Sequence, residues 1–389
     1  MHPLKNMNQN QVNITIAFLF TLISVIALMI ARSALFYYES GDYLFFLKLW
    51  VEEYREMTFL EGLGTKVGTY NPPYMYILNI IARINLSDLV QIKIVSIFFD
   101  FILAYFVMKI VSLKTDRLNM HILAFLMTFA LPTVIINSAM WGQCDSIYAS
   151  FAIGSIYFGL RGKSKLAYSF MALALSFKLQ AVFLLPVLPM FVLTNKIKLK
   201  DCYMFFVVYI ATLLPAVFAG MPVSDALFAY FIQANYYSSL NLNMINIWRF
   251  VGNVEYEYFR TAGIYMAGFV VLALMYFTYV NRARLIHNVD FIRLAYLFAI
   301  IIPFTLPKMH DRYYYMADIL SVTVFLFDKR RWYVPVVTII CSYITYAFFI
   351  MFGIELIDYR LAVIALFAVI IIVLRDYVIS LSTERTAEK

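Results

Sequence analysis

A few side chains in this largely apolar chain could do chemistry, and they fall into two types. The carboxylates are Asp42 in Glu39-Ser40-Gly41-Asp42-Tyr43, Asp100, and Asp145 in Trp141-Gly142-Gln143-Cys144-Asp145. The cations or potential cations are Lys178, Lys308, His310 and Arg312. A carboxylate beside a hydroxyl is a general base. Lysine, arginine and protonated histidine suit a phosphate leaving group. Gln143, together with the Trp, Tyr and Asn residues of neighbouring stretches, suits sugar faces and hydroxyls. The three cysteines, Cys144, Cys202 and Cys341, have no metal-ligand spacing, and neither a zinc site nor a disulfide framework is expected.

These groups need a scaffold, and the composition says what kind. The chain has 389 residues, 63% of them hydrophobic and 14% charged. Its mean hydropathy is +0.79, more apolar surface than water would tolerate, so a lipid bilayer is the expected solvent. Apolar runs fall at about 12–33, 90–112, 119–138, 143–160, 166–178, 179–194, 202–220, 261–280, 291–306, 313–327, 333–352 and 361–380. They predict an all-α integral membrane bundle of about twelve transmembrane helices. The first run is too long for a signal peptide and reads as a retained anchor. A net charge of +8 is expected to sit in cytoplasmic loops, and no nucleic-acid partner is read from it.

Loop charge orients the bundle. Lys114/Arg117, Arg161/Lys163/Lys165, Lys196/Lys198/Lys200, Arg282/Arg284 and Lys329/Arg330/Arg331 alternate with acidic or mixed loops at Glu39 to Glu61, Glu255/Glu257 and Glu355/Asp358. The basic set is expected to be cytoplasmic, which makes both termini cytoplasmic. The chain reads as one domain over 1–389, with a first extracytoplasmic loop at 34–89 and a second outer loop at 221–260. In the first loop, Leu47, Trp50, Val51, Tyr54 and Met57 recur at helical spacing, which predicts an interfacial amphipathic helix. Asn71-Pro72-Pro73 opens a second helix.

Within this frame every candidate residue leans toward the outer face. Asp100 lies about 10 Å inward from the outer end of its helix, and Lys178 about 20 Å from the cytoplasmic Lys165. A base and phosphate-binding cations at one lipid interface fit glycosyl transfer from a lipid-linked phosphosugar. Each residue also has a plainer reading. Asp42 could be the N-cap of the amphipathic helix. Asp100 could be a structural partner of Lys93 or Lys178, and Gln143 and Asp145 could cap the helix they precede. His310 and Arg312 could anchor at the interface, Tyr313-Tyr314-Tyr315 could be part of an aromatic belt, and Asp318 could be a buried hydrogen-bond partner.

The chain resembles the GT-C superfamily of polytopic glycosyltransferases, especially bacterial proteins akin to the mannosyl- and glucosyltransferases of the GPI and dolichol pathways. Asp42 stands in Ser-Gly-Asp-Tyr, where that superfamily places its base. Residues Trp141–Tyr148 look like its WGQxDxxY segment, and Phe177-Lys178-Leu179-Gln180 like its FKxQ turn. Met309-His310-Asp311-Arg312-Tyr313 looks like its MHERY segment, with Asp in place of Glu. The resemblance implies an inverting hexosyltransferase with a polyprenyl-phosphate-linked donor, working on the extracytoplasmic side of the bacterial inner membrane. Asp42 would be the base. Lys178, His310 and Arg312 would bind the donor phosphate, and Asp100, Gln143, Asp145 and Lys308 the substrate. No metal and no cofactor are implied, since Tyr43-Leu44 follows Asp42 where metal-dependent members carry a second carboxylate. The acceptor stays open among glycan, lipid and protein, and so does the oligomeric state. A transporter or lipid flippase is the alternative of another class; such proteins tend to place polar sites at the bilayer midplane.

Overall fold

The computed structural model describes residues 9–234, 238–252, 254–350, 353 and 357–382. The start of the chain before residue 9, Asn235-Tyr236-Tyr237 and Glu355 lie outside them. The described chain is almost entirely helical. Helix α1 (Gln9–Ser33) leads into α2 (Lys48–Arg55), α3 (Phe59–Gly64) and α4 (Pro72–Ile81). The next helices are α5 (Asp88–Val111), α6 (Leu118–Phe129), α7 (Pro132–Ile135), α8 (Asp145–Leu160), α9 (Ser164–Phe177), α10 (Val187–Leu193) and α11 (Tyr203–Phe218). Short α12 (Val223–Leu227) and α13 (Ala229–Ala234) precede α14 (Tyr256–Val280), α15 (Asn288–Thr305), α16 (Tyr315–Phe327), α17 (Tyr333–Ile350) and α18 (Tyr359–Ser382). Two parallel two-residue strands, β1 (Asn241–Leu242) and β2 (Met309–His310), tie the second loop to the segment before α16.

This is a multi-pass all-α membrane protein, but the count of twelve spans is corrected. Among the described residues seven helices are long and apolar enough to cross a bilayer: those at 11–33, 88–111, 199–218, 256–280, 288–305, 329–350 and 359–382. An eighth is added if the bent pair Leu118–Phe129 and Pro132–Trp141 counts as one span. The other expected runs are helical but short: α8 has 16 residues, α9 has 14 and α16 has 13, against the roughly 20 a full crossing needs. Length separates them from α15, which is nearly as enclosed but has 18 residues. Most of α8 and nearly all of α16 are buried among other helices, so hydropathy there reports interior packing. By contrast α1, α11 and α14 carry exposed apolar faces along their length, as lipid contact requires.

The loops sort cleanly to two ends. At one end the Lys114 ammonium donates to the carbonyls of Leu326 and Phe327, Arg331 pairs with Asp376, Arg284 donates to the Leu381 carbonyl at 3.0 Å, and the Lys198 N–H donates to Ser164 Oγ at 3.0 Å. The basic loops therefore share that end. At the opposite end lie the C-termini of α1, α9 and α15 and the N-termini of α5, α8 and α16, and there the candidate residues gather.

The first loop folds as the apolar spacing predicts. Val51 and Tyr54 of α2 are buried while Glu52, Glu53, Arg55 and Glu56 are exposed. Arg55 pairs with Asp88 at the start of α5, fixing α2 to the bundle. Thr58 and Glu61 form a reciprocal capping box on α3.

Candidate active site

Two irregular helical turns deliver the site. Pro132 has no N–H to continue α6, and Leu131 before it is extended (φ −57°, ψ 129°), so the helix bends by 50°. After α7 the chain winds as a π-helical turn over Ile136–Trp141 and stops at Gly142, whose φ of 75° is left-handed. A second π turn, Tyr43–Leu47, follows Asp42. Such turns carry an extra residue per turn and recur at functional sites. Here they aim Trp141, Gln143 and Asp42 at one another.

Asp42 is not a helix cap. It already has helical geometry (φ −63°, ψ −33°), and its carboxylate makes no capping bond. Ser40 fills that role, its Oγ accepting the Tyr43 N–H at 3.2 Å while its hydroxyl donates to the Trp141 carbonyl at 2.7 Å. The Asp42 carboxylate instead points inward. Its Oδ2 accepts from Trp141 Nε1 at 3.0 Å and from Gln143 Nε2, and lies 3.3 Å from an Arg312 guanidinium nitrogen.

Asp145 lies just behind, buried at the start of α8. Lys178 donates to its Oδ1, Asn137 Nδ2 to its Oδ2 at 2.8 Å, and Arg312 Nε stands 3.7 Å from Oδ2. That last separation suits an ion pair but exceeds a hydrogen bond, and the buried Nε has no hydrogen-bond partner. Lys178 occupies an extended residue (φ −154°, ψ 136°) between α9 and the 3₁₀ turn Leu179–Leu184. Arg312 also lies 3.7 Å from Asp311 Oδ1 and 5.3 Å over the Trp141 ring.

Asp42, Gln143, Lys178, His310 and Arg312 all line one cavity of about 280 Å³, with Asp145 holding two of them from behind. The second loop fixes the far wall. β1 pairs with β2, Lys308 N–H donates to the Leu240 carbonyl at 2.8 Å, Tyr314 hydroxyl donates to the Ile245 carbonyl at 2.7 Å, and Thr345 hydroxyl to the Asp311 carbonyl at 2.6 Å.

Burial decides the charges. His310 was expected as a cation; burial, helped by the nearby Arg312 and Lys178 charges, pushes its pKa down to about 3, and it is a neutral imidazole. Burial also pushes the Asp311 carboxyl up to about 7 against the pull of Arg312. Burial opposes the Arg312 charge too, but Asp42, Asp311 and Asp145 outweigh it and hold the guanidinium firmly protonated. The Cys144 thiol, buried beside Asp145, is raised to about 11 and is no nucleophile.

Two expected substrate ligands lie elsewhere. Asp100 is fully buried and belongs to a separate ion pair: Arg32 is 3.4 Å from its Oδ2 and Ser138 donates to the same oxygen at 2.6 Å. Neither Lys93 nor Lys178 is its partner. Lys93 instead donates to the carbonyls of Leu35, Phe36 and Tyr38, where the chain leaves α1. Lys308 lines a second cavity of about 350 Å³, mostly apolar, walled by Leu179, Val182, Phe183, Ile264, Leu306 and Pro307. The two cavities share Gln180, Leu242, His310 and Tyr313.

No protein-family model matches this chain, and no curated protein matches it.

Sequence reasoning gives no site role to Asn137, Tyr70 and Phe349, and names Trp50 only for the apolar face of α2. Asn137 had a signal, since an amide inside an apolar run needs a partner. The three aromatics had none, because aromatic residues are abundant throughout.

Proposed function

We propose that this protein is a glycosyltransferase of the GT-C type, moving a hexose from a polyprenyl-phosphate carrier to an acceptor hydroxyl. The observation that carries the reading is the pair of adjoining cavities. One holds two carboxylates, Asp42 and Asp311, and two cations, Lys178 and Arg312; the other is mostly apolar, with Arg260 and Lys308 among its lining; Gln180, Leu242, His310 and Tyr313 form their common wall. A ligand with a charged head and a hydrocarbon tail fits that arrangement better than a wholly polar solute does. The cavity's own ion pairs, among Asp42, Asp145, Lys178 and Arg312, lie at helix ends, which supports transfer at a membrane face over transport through the midplane; the Arg32–Asp100 pair, halfway along α5, lies outside the cavity.

In this reading the acceptor oxygen attacks the anomeric carbon while its proton passes to the Asp42 carboxylate. The bond from that carbon to the phosphate oxygen breaks, its electron pair leaves with the polyprenyl phosphate, and the configuration inverts. Trp141 and Gln143 orient the carboxylate through its Oδ2. Arg312, with Nε free of a hydrogen-bond acceptor, and Lys178 stabilise the leaving phosphate, and neutral His310 contributes an N–H. Asp145 sets the two cations in place. The reading takes the basic end of the bundle as cytoplasmic, which the positive-inside rule supports, and so takes the site to lie at the outer face of the bacterial inner membrane.

The test is sugar transfer in proteoliposomes supplied with polyprenyl-phosphate mannose, glucose or galactose. Asp42→Asn should lower turnover by about 10²–10⁴-fold while the folded protein is retained. Turnover close to that of the unmodified protein would remove Asp42 as the base.

A further inference from the structure

The wall of the polar cavity on the Asp42 side is made of rings. Phe46 and Trp50 of the segment running into α2 lie 5.9 Å apart, and Tyr70 meets the Trp50 indole edge-on at 5.9 Å and 72°. Phe349, stacked on Trp141 at 4.2 Å, closes the same side. The indole is held firmly. Gly68 packs against it so closely that a Cβ there would come within 2.9 Å of the ring and 2.7 Å of Met75 Cε. A glycine is needed for the ring to sit where it does.

The same cavity offers neutral hydrogen-bonding groups: Thr69, Gln143, Gln180 and Asn243. Gln180 is the most telling. It is only 6% exposed, it lines both cavities, and its Oε1 has no hydrogen-bond partner, so a buried acceptor stands without a donor. A rigid aromatic face beside an unmet neutral acceptor, Gln180 Oε1, fits a molecule with apolar C–H faces and a rim of hydroxyls. A sugar ring has that shape. A long aliphatic acceptor would instead need an alkyl-lined slot next to Asp42, and the cavity of that character lies beyond the His310–Tyr313 wall.

We infer that the acceptor is a saccharide, one ring of which stacks on Trp50 and presents a hydroxyl to Asp42 while another hydroxyl donates to Gln180 Oε1. This rests on the transferase reading for its role, though the binding itself needs no donor lipid.

The experiment is therefore a binding measurement on the whole protein in lipid nanodiscs. Probes are short α- and β-linked oligosaccharides of mannose, glucose and galactose, with a serine-containing peptide and a long-chain alcohol for comparison. Saturation-transfer NMR reads ligand contact, and intrinsic fluorescence gives the titration curve. At least one oligosaccharide should bind saturably. Trp50→Ala should weaken it by roughly tenfold, the scale of one aromatic stacking contact, and Trp50→Phe should recover part of the loss. Gln180→Leu should weaken it as well, with the far-ultraviolet dichroism of each variant unchanged. The inference is overturned if no oligosaccharide binds, or if the peptide or the alcohol shows the Trp50-dependent response. Saccharide binding at Trp50 without any transfer would remove the transferase reading and leave this site. Transfer to a peptide or lipid hydroxyl, with no saccharide binding, would do the reverse.

Discussion

Replacing His310 with Gln should uncover a pH dependence of stability that the unmodified protein conceals. The Asp311 carboxyl is held at about 7 in the fold against an ordinary value of 3.8. The folded state therefore keeps a proton that the unfolded chain has released, and stability from this group is lost as pH rises from about 4 to 7. His310 works in the opposite sense. Its folded value near 3 lies below the ordinary 6.5, so the unfolded chain takes up the proton first, and stability is gained as pH rises from about 3 to 6.5. Each shift is a little over three pKa units, worth at most about 5 kcal/mol, and the two windows nearly coincide. In the intact protein the contributions largely cancel. His310→Gln should leave the Asp311 slope alone, so that the variant loses stability relative to its parent as pH rises. Asp311→Asn should gain relative to its parent over the same range. The assay is the apparent unfolding midpoint in detergent, followed by intrinsic fluorescence at each pH, with parent subtracted from variant so that all other groups drop out. Curves for both variants running parallel to the parent would refute the burial argument for the charge states of this pair.

The ion pair outside the cavity gives a second prediction. Arg32→Met leaves the Asp100 carboxylate buried with Ser138 as its donor, and should cost about 3–5 kcal/mol in a denaturant titration. Adding Asp100→Leu should restore most of that stability together with transfer activity; a stable but inactive double variant would return Asp100 to the site. Gly142→Ala forces an ordinary residue into a left-handed position at φ 75° and should lower stability by about 1–2 kcal/mol. It should also reduce turnover more than substrate affinity, because Trp141 and Gln143 flank it and orient Asp42; equal kcat for the two proteins would show that the turn does not set the carboxylate.

Much of the site could be read from the chain because its parts are costly. Asp42, Gln143, Asp145, Lys178, His310 and Arg312 stood out as polar groups bounding apolar runs, and the fold does bring them together. Asp100 stands out for the same reason but lies outside the cavity, paired with Arg32, which at the end of a span looks like any interfacial anchor. The mutual burial of the two makes them a structural pair, and burial is a property of packing that a lone sequence does not display. The same gap explains His310, whose type promises a cation until the enclosing groups are known. It bears on the span count as well, alongside helix length. Hydropathy cannot distinguish α16, buried by its neighbours, from α14, exposed to lipid. The amphipathic α2 was readable since one of its faces is plainly apolar. The π turn at Ile136–Trp141 was not, since Pro132 announces a bend but not the winding that follows it.

The Asp42 carboxylate takes its neighbours from segments far apart in the chain, and this gives the site an order of arrival. Trp141 and Gln143 emerge from the ribosome about 100 residues after Asp42, and Arg312 roughly 270 residues after it. At about 5–20 residues per second, the carboxylate's hydrogen-bond donors are synthesised about 8–34 seconds before its counter-ion exists. A nascent chain halted before β2 would hold the acid and its two donors without Arg312 and without Tyr346 and Phe349, which pack on Trp141. Completion of the charge balance is thus an event of late biogenesis, reached when the segment from Met309 to Tyr313 docks against β1.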